Sequence, residues 1–168
     1  MATAITLVEP AQNAFLIELE KRANRPNHFF RAMAHLPEVL KNFVPFYGSI
    51  MGAGSVDRRT KELVYLTVSY TNKCAYCTAA HVASGRKAGV GEDEMRALQA
   101  EQVDGFSEPE RAAIDYAREL TRTAAAPQTR AALAAHFNDR QIVELTLIAS
   151  LANFTNRFNN GLDLAHEQ

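Results

Sequence analysis

The sequence lacks any excess of charge of one sign: 18 Lys and Arg stand against 19 Asp and Glu, a net charge of −1 over 168 residues. That balance removes the electrostatic case for a nucleic acid or an anionic membrane as partner. No run of like charge is longer than a few residues, so no charged tail is expected. No stretch approaches the ~18 apolar residues of a membrane span. The opening residues, Met1 to Pro10, have no basic segment and too short an apolar stretch for a secretion signal. The chain is therefore expected to stay in the cytoplasm, where thiols are kept reduced. Sustained apolar–polar alternation is absent, which leaves no candidate strand. Cysteine is scarce: the chain has two, Cys74 and Cys77. In a reducing compartment, such a closely spaced pair is more often catalytic or metal-binding than a structural staple.

What is present is ordinary globular composition, 47% hydrophobic and 22% charged, in a chain long enough for one domain with its own core. We expect a single all-α domain over 1–168. Pro10 opens an amphipathic stretch with Phe15, Leu16 and Leu19 at helical spacing, and Asn24-Arg25-Pro26-Asn27 ends it. A short helix over 29–34 stops before Pro37, which suits the first turn of a helix to about residue 50. Asp57 caps the next helix, whose apolar face carries Leu63, Leu66 and Tyr70. Gly85 and Gly89-Val90-Gly91 close the cysteine helix, and 92–100 forms another. Ser107 with Glu110 forms a capping box for a helix to about residue 123. Pro127 starts a short Ala-rich helix, and a long one runs over 139–160 with Gly161 as its C-cap.

One pattern repeats. Asp57-Arg58-x-x-x-Glu62-Leu63-x-x-Leu66 returns 82 residues later as Asp139-Arg140-x-x-x-Glu144-Leu145-x-x-Ile148. The offset is near half the chain and points to an internal two-half repeat, with Asn156 and Asn159 at the cysteine positions of the second copy. The alternative is two amphipathic helices with a common capping pattern.

The segment Lys73-Cys74-Ala75-Tyr76-Cys77-Thr78-Ala79-Ala80-His81 carries the chemistry. At ~100° per residue, Cys74, Cys77 and His81 fall on one stripe of a helix. Cys74 lies near the helix N-terminus, where free amide N–H groups and the dipole can lower a thiol from ~8.5 into a range of about 3.5–7.5. Lys73 adds positive charge beside it. Cys77 is placed to close a disulfide with Cys74, and His81 to exchange a proton with Cys77. A c-type haem site is excluded, because Thr78 follows the second cysteine where histidine is required. A zinc module would take three ligands from one short helix and lack an obvious fourth. Two small core hydrophobes are the bland reading. A redox pair outweighs both. Glu62, twelve residues before Cys74, sits on the preceding helix, which a helix–turn–helix would fold back toward the thiols, directly or through a water.

Glu62 followed by Cys74-x-x-Cys77-x-x-x-His81 resembles the signature of the alkylhydroperoxidase D (AhpD) branch of the carboxymuconolactone decarboxylase superfamily. His35-x-Pro37 with Phe43 and Tyr47, and the closing Asn156-Arg157-Phe158-Asn159-Asn160, are similar to flanking segments of its peroxidase-related members. The likeness covers roughly residues 28–162. It implies an AhpD-like helical fold that assembles into homotrimers or homohexamers. It also implies thiol-dependent peroxide reduction with no metal, haem or flavin cofactor. Carried over, Cys74 attacks the peroxide and Cys77 resolves. His81 and Glu62 form the relay that deprotonates Cys77 and, through it, Cys74. The implied electron donor is a lipoyl- or thioredoxin-type dithiol.

One departure is Tyr76, where the best-studied type has a second histidine. A phenol of pKa ~10 is no base at neutral pH but can donate a hydrogen bond, so a modest peroxidase rate is expected. Lactone or acid chemistry of the decarboxylase relatives, by histidine and carboxylate, is the alternative, and the two cysteines argue against it. His35 reads as a helix-end or interface residue, and His28, His136 and His166 receive no role. Arg157 is a pocket or interface cation, or simply solvated. Phe29, Phe30, Phe43, Phe46 and Tyr47 read as core or interface residues; were they to line a cleft, they would favour an apolar peroxide.

Overall fold

A computed structural model describes residues 3–167; the ends of the expected 1–168 domain, residues 1, 2 and 168, lie outside the described residues. Among the described residues there are nine α-helices and no strand. They are α1 (Ala14–Ala23), α2 (His28–Met33), α3 (Pro37–Met51), α4 (Arg58–Thr71), α5 (Ala75–Lys87), α6 (Glu92–Gln99), α7 (Glu108–Thr123), α8 (Arg130–Ala134) and α9 (Asp139–Gly161). None is long and apolar enough to cross a membrane.

The helix α4 is the axis of the molecule. Every residue from Thr60 to Ser69 is buried, as expected of a helix packed on all sides rather than along one stripe. It lies against α5, α6, α7 and α9. Val64, Tyr65 and Val68 face the main core, shared with α1, α2, α3 and α9. Leu63 and Leu66 face a second cluster with Val90, Met95, Leu98, Phe106 and Ile114. Each such aliphatic side chain stabilises the fold by about 1.5–3 kcal/mol through the area it removes from water. Asp57 starts α4 by accepting from the Thr60 N–H at 2.9 Å and from its hydroxyl at 2.7 Å.

Two glycines and one cap differ from the sequence reading. Gly85 lies inside α5, not at its end, because a Cβ there would meet Met95 Cε at 3.1 Å and Leu66 Cδ1 at 3.2 Å. It is a close-packing glycine, and Gly89, at φ 85°, makes the left-handed turn that follows. Gly161 is the last residue of α9, and Leu162 is the cap. Asn138, accepting from Gln141 N at 3.1 Å, caps α9, so Asp139 lies one position further inside its helix than Asp57 does. The two echoing segments therefore do not share one capping pattern.

The chain turns from α4 into α5 through Asn72 and Lys73. Lys73 adopts a left-handed φ of 54°, and Cys74 N donates to Ser69 O at 2.9 Å. α9 clamps this turn. Asn72 Nδ2 donates to Asn153 Oδ1 and Asn156 Oδ1 at 2.9 and 3.1 Å, and Asn160 Nδ2 donates to Asn72 O at 3.0 Å. The clamp fixes where the first turn of α5, and hence each cysteine, can lie.

Candidate active site

Cys74 is the N-cap of α5. Its sulfur accepts from the Cys77 backbone N–H at 3.3 Å, the helix-start contact that the spacing anticipates. One turn on, Cys77 Sγ lies 2.8 Å from Cys74 Sγ, with Cys74 as donor and both as free thiols. From α9, Asn159 Nδ2 donates to Cys77 Sγ at 3.0 Å. The Cys74 thiol, Asn159, Asn156 and Thr155 hold Cys77 below the usual thiol range against the opposing effect of burial. Cys74 is pushed up, first by its bond to Cys77 and then by burial. The sequence placed the more acidic thiol at Cys74 for its helix-start position. That contact exists, but in a dry site a sulfur that donates to a second sulfur keeps its proton. Lys73 is exposed, its charge in water.

His81 is buried one turn beyond Cys77. Its Nδ1 meets Glu62 Oε2 at 2.7 Å, so the α4 carboxylate does reach back to α5. The imidazole lies flat on the Tyr65 ring, centroids 3.5 Å apart at 11°. Glu62 is 0% exposed. Its Oε1 has Arg58 Nη2 at 2.6 Å, an ion pair not aligned as a hydrogen bond. Periodicity put His81 on the stripe of Cys77, and it is there. Among the described residues, however, neither thiol is hydrogen-bonded to its ring. The Nε2 partner is the Tyr47 hydroxyl from α3, at 3.2 Å.

Tyr76 is turned away from the sulfurs. Its hydroxyl donates to Glu167 Oε1 at 2.8 Å and accepts from Phe29 N at 3.2 Å, pinning the C-terminal segment to the start of α2. A cleft of about 270 Å³ opens over Cys77, walled by Phe29, Phe30, Phe43, Tyr47 and Tyr65, with Arg25 and Arg58 as its cations. Cys74, fully buried, lies outside its lining. Phe29 and Phe43 are core residues, as expected, and with Phe30 they also wall the cleft, whereas Phe46 is exposed and lies outside it. His35 bonds Thr6 O at 2.7 Å, tying the segment before α1 to the chain just past α2, and Arg157 bonds back to Asn153 O on its own helix. Among the described residues, no three His, Cys, Asp or Glu side chains converge as a metal would need.

The sequence did not disclose the roles of Tyr47, Tyr65, Arg58, Thr155, Asn156 and Asn159 in the site. For Asn159 a signal existed, since it occupies the position of Cys77 in the second copy of the echo.

The model of the carboxymuconolactone decarboxylase family matches residues 37–119, which include Glu62, Cys74, Cys77 and His81. The uncharacterized protein YdfG of Bacillus subtilis (strain 168) is 31% identical over 112 residues, covering 62% of this chain and 74% of YdfG. The structure is similar to that of a peroxidase-related protein of Ralstonia eutropha JMP134 described as an alkylhydroperoxidase AhpD core. That match has a TM-score of 0.86 at 20% identity and covers 99% of this chain and 93% of the other. It is also similar to the debrominase Bmp8, with a TM-score of 0.84 at 19% identity over 97% and 91% of the two chains. The chain belongs to the carboxymuconolactone decarboxylase family and has the fold of its AhpD-like, peroxidase-related members.

Proposed function

We propose that this protein is a thiol peroxidase that reduces apolar organic peroxides through a Cys74–Cys77 disulfide. The observation that carries the reading is a pair of free sulfurs 2.8 Å apart, one of them held acidic at the base of an aromatic-walled cleft. The Cys77 thiolate attacks one peroxide oxygen, and the O–O bond breaks. Cys77 becomes a sulfenic acid and the other oxygen leaves as the alcohol. The Cys74 thiol attacks the sulfenic sulfur, forming the disulfide and releasing water. Roles are thus exchanged relative to those carried over with the signature, because Cys77 faces the cleft and Cys74 does not. Glu62 and His81 hold the proton that Cys77 gives up. A lipoyl- or thioredoxin-type dithiol in the cytoplasm restores the pair through a mixed disulfide.

Self-association into a homotrimer or homohexamer belongs to the same proposal. It is supported by exposed Leu36, Val39 and Phe46 near or on α3, and by Val143, Leu147 and Phe154 on α9.

One equivalent of cumene hydroperoxide should remove both thiols and leave folded protein two hydrogens lighter by intact mass, reversibly with dithiothreitol. With Cys74→Ser the product should stop at a sulfenic acid on Cys77 that dimedone traps. Persistence of both thiols in the folded parent ends the proposal. A second reading takes the aromatic wall and the debrominase likeness together. Reductive removal of bromide from an aryl ring would consume the same two thiols, giving the arene, bromide, a proton and the disulfide. Bromide release from bromophenols without peroxide consumption would favour it.

A further inference from the structure

We infer that the Tyr47 hydroxyl carries the proton between the cleft and the His81–Glu62 pair. This rests on the peroxidase reading above and adds the one link that reading leaves open. His81 has two ring nitrogens. Nδ1 is committed to the Glu62 carboxylate at 2.7 Å, and the ring is pressed flat on Tyr65, so it has no room to swing. Nε2 is the nitrogen left for proton traffic, and its partner is Tyr47 at 3.2 Å. The cleft contains three phenols, and their engagements differ. The Tyr65 hydroxyl is paired with Thr155 Oγ1 at 2.5 Å, and that of Tyr76 with Glu167 and Phe29 N. Tyr47 faces both the imidazole and the cleft that Cys77 lines.

A hydroxyl can accept a proton on a lone pair while giving up its own. In the forward direction the Cys77 S–H proton passes to the Tyr47 oxygen as the Tyr47 proton passes to Nε2. Glu62 then stabilises the resulting imidazolium. After the thiolate attacks and the O–O bond breaks, the alkoxide takes the Tyr47 proton, and Nε2–H refills it. The net result is transfer of the thiol proton to the alcohol, with the peroxide accepting two electrons from the Cys77 sulfur. Burial and the Glu62 charge push the Tyr47 phenol well above its ordinary value, so it stays protonated and works as a carrier rather than a base.

Tyr47→Phe keeps the ring that packs on Phe43, centroids 5.8 Å apart, and removes the hydroxyl. Two oxidants separate relay from packing. Cumene hydroperoxide must expel an alkoxide, which needs a proton. A peroxy acid expels a carboxylate, which does not. The second-order rate of thiol loss should fall about 10²-fold or more with the hydroperoxide, which uses the relay twice, to take the thiol proton and to protonate the alkoxide, and distinctly less with the peroxy acid, which uses it once. Equal losses with both oxidants, or no loss with either, overturn the inference. A parent whose thiols survive both oxidants overturns the peroxidase reading instead, and this inference with it. Should Tyr47→Phe fail to fold by circular dichroism, 3-fluorotyrosine at position 47 keeps ring and hydroxyl while making the phenol more acidic. Its rate should then shift more with the hydroperoxide than with the peroxy acid; no difference between the two is again the overturning result.

Discussion

Glu62 and Glu144 hold matching places in two segments 82 residues apart, and both are largely buried carboxylates near the start of a helix. Their surroundings differ. Glu144 is saturated: Ser55 N and Ser55 Oγ donate to Oε2 at 2.7 and 2.6 Å, Val56 N at 3.2 Å, and the Lys61 ammonium sits on Oε1. Lys61, 1% exposed, is itself spent on Ile50 O and Gly52 O at 2.8 and 2.7 Å. This carboxylate is held down to about pH 2 by Lys61 and Ser55 against the cost of burial. It staples the loop before α4 to α9. Glu62 meets one group that exchanges protons, the His81 imidazole, and a half-exposed guanidinium that supplies charge alone. Burial of a charge therefore does not mark a reactive site. What marks it is whether the neighbours can pass a proton on.

The sharpest break of this comparison is Glu62→Gln. It should leave the fold intact and reduce thiol alkylation and peroxide turnover near neutral pH by ~10²–10⁴, the usual cost of a lost general base. The deficit should shrink as pH rises and the Cys77 thiol, held below its usual range by Cys74 and Asn159, ionises without the relay. A rate–pH profile that overlays the parent would make Glu62 an ordinary structural carboxylate like its counterpart.

Lys61→Ala is the converse. It should cost about 3–5 kcal/mol in denaturant unfolding by stranding a buried charge, while surviving folded protein keeps its alkylation profile. The same pair has an acid signature. Glu144 is depressed in the folded state, so its contribution is complete above the ordinary glutamate range and is lost as pH falls from there toward about 2. That segment of the stability–pH curve should be missing in Glu144→Gln.

Arg58→Gln should do least. Its side chain is 52% exposed, so water and salt already share its charge, and the variant leaves the buried Glu62 its bond to His81; turnover should therefore change by no more than a few-fold, and less at high salt. A loss as large as that of Glu62→Gln would show that the guanidinium, not the imidazole, governs the carboxylate.

Much of this was legible in the chain. Caps such as Asp57 and apolar spacing along α4 are local, and the stripe of Cys74, Cys77 and His81 follows from helical pitch alone. Glu62 came within reach through spacing and a family signature. Tyr47 lies 34 residues before His81, and Asn159 lies 82 after Cys77. Each arrives by tertiary packing, which no local period encodes. Gly85 misled for a related reason: a glycine that ends a helix and one that admits a neighbouring helix look alike in a string of letters.

That glycine has a bearing on chemistry well away from it. Gly85 sits eight residues past Cys77, roughly 12 Å along the helix at 1.5 Å per residue. At one end α5 is sighted on Asn159, and at the other it rests on α4 and α6 with no side chain between. The helix is a stiff pointer on a bare pivot, and its aim at the sulfur end is only as good as the fit of that pivot. Sequence change at Met95 or Leu66, neither near a reacting atom, is therefore free to retune the contact that keeps Cys77 acidic.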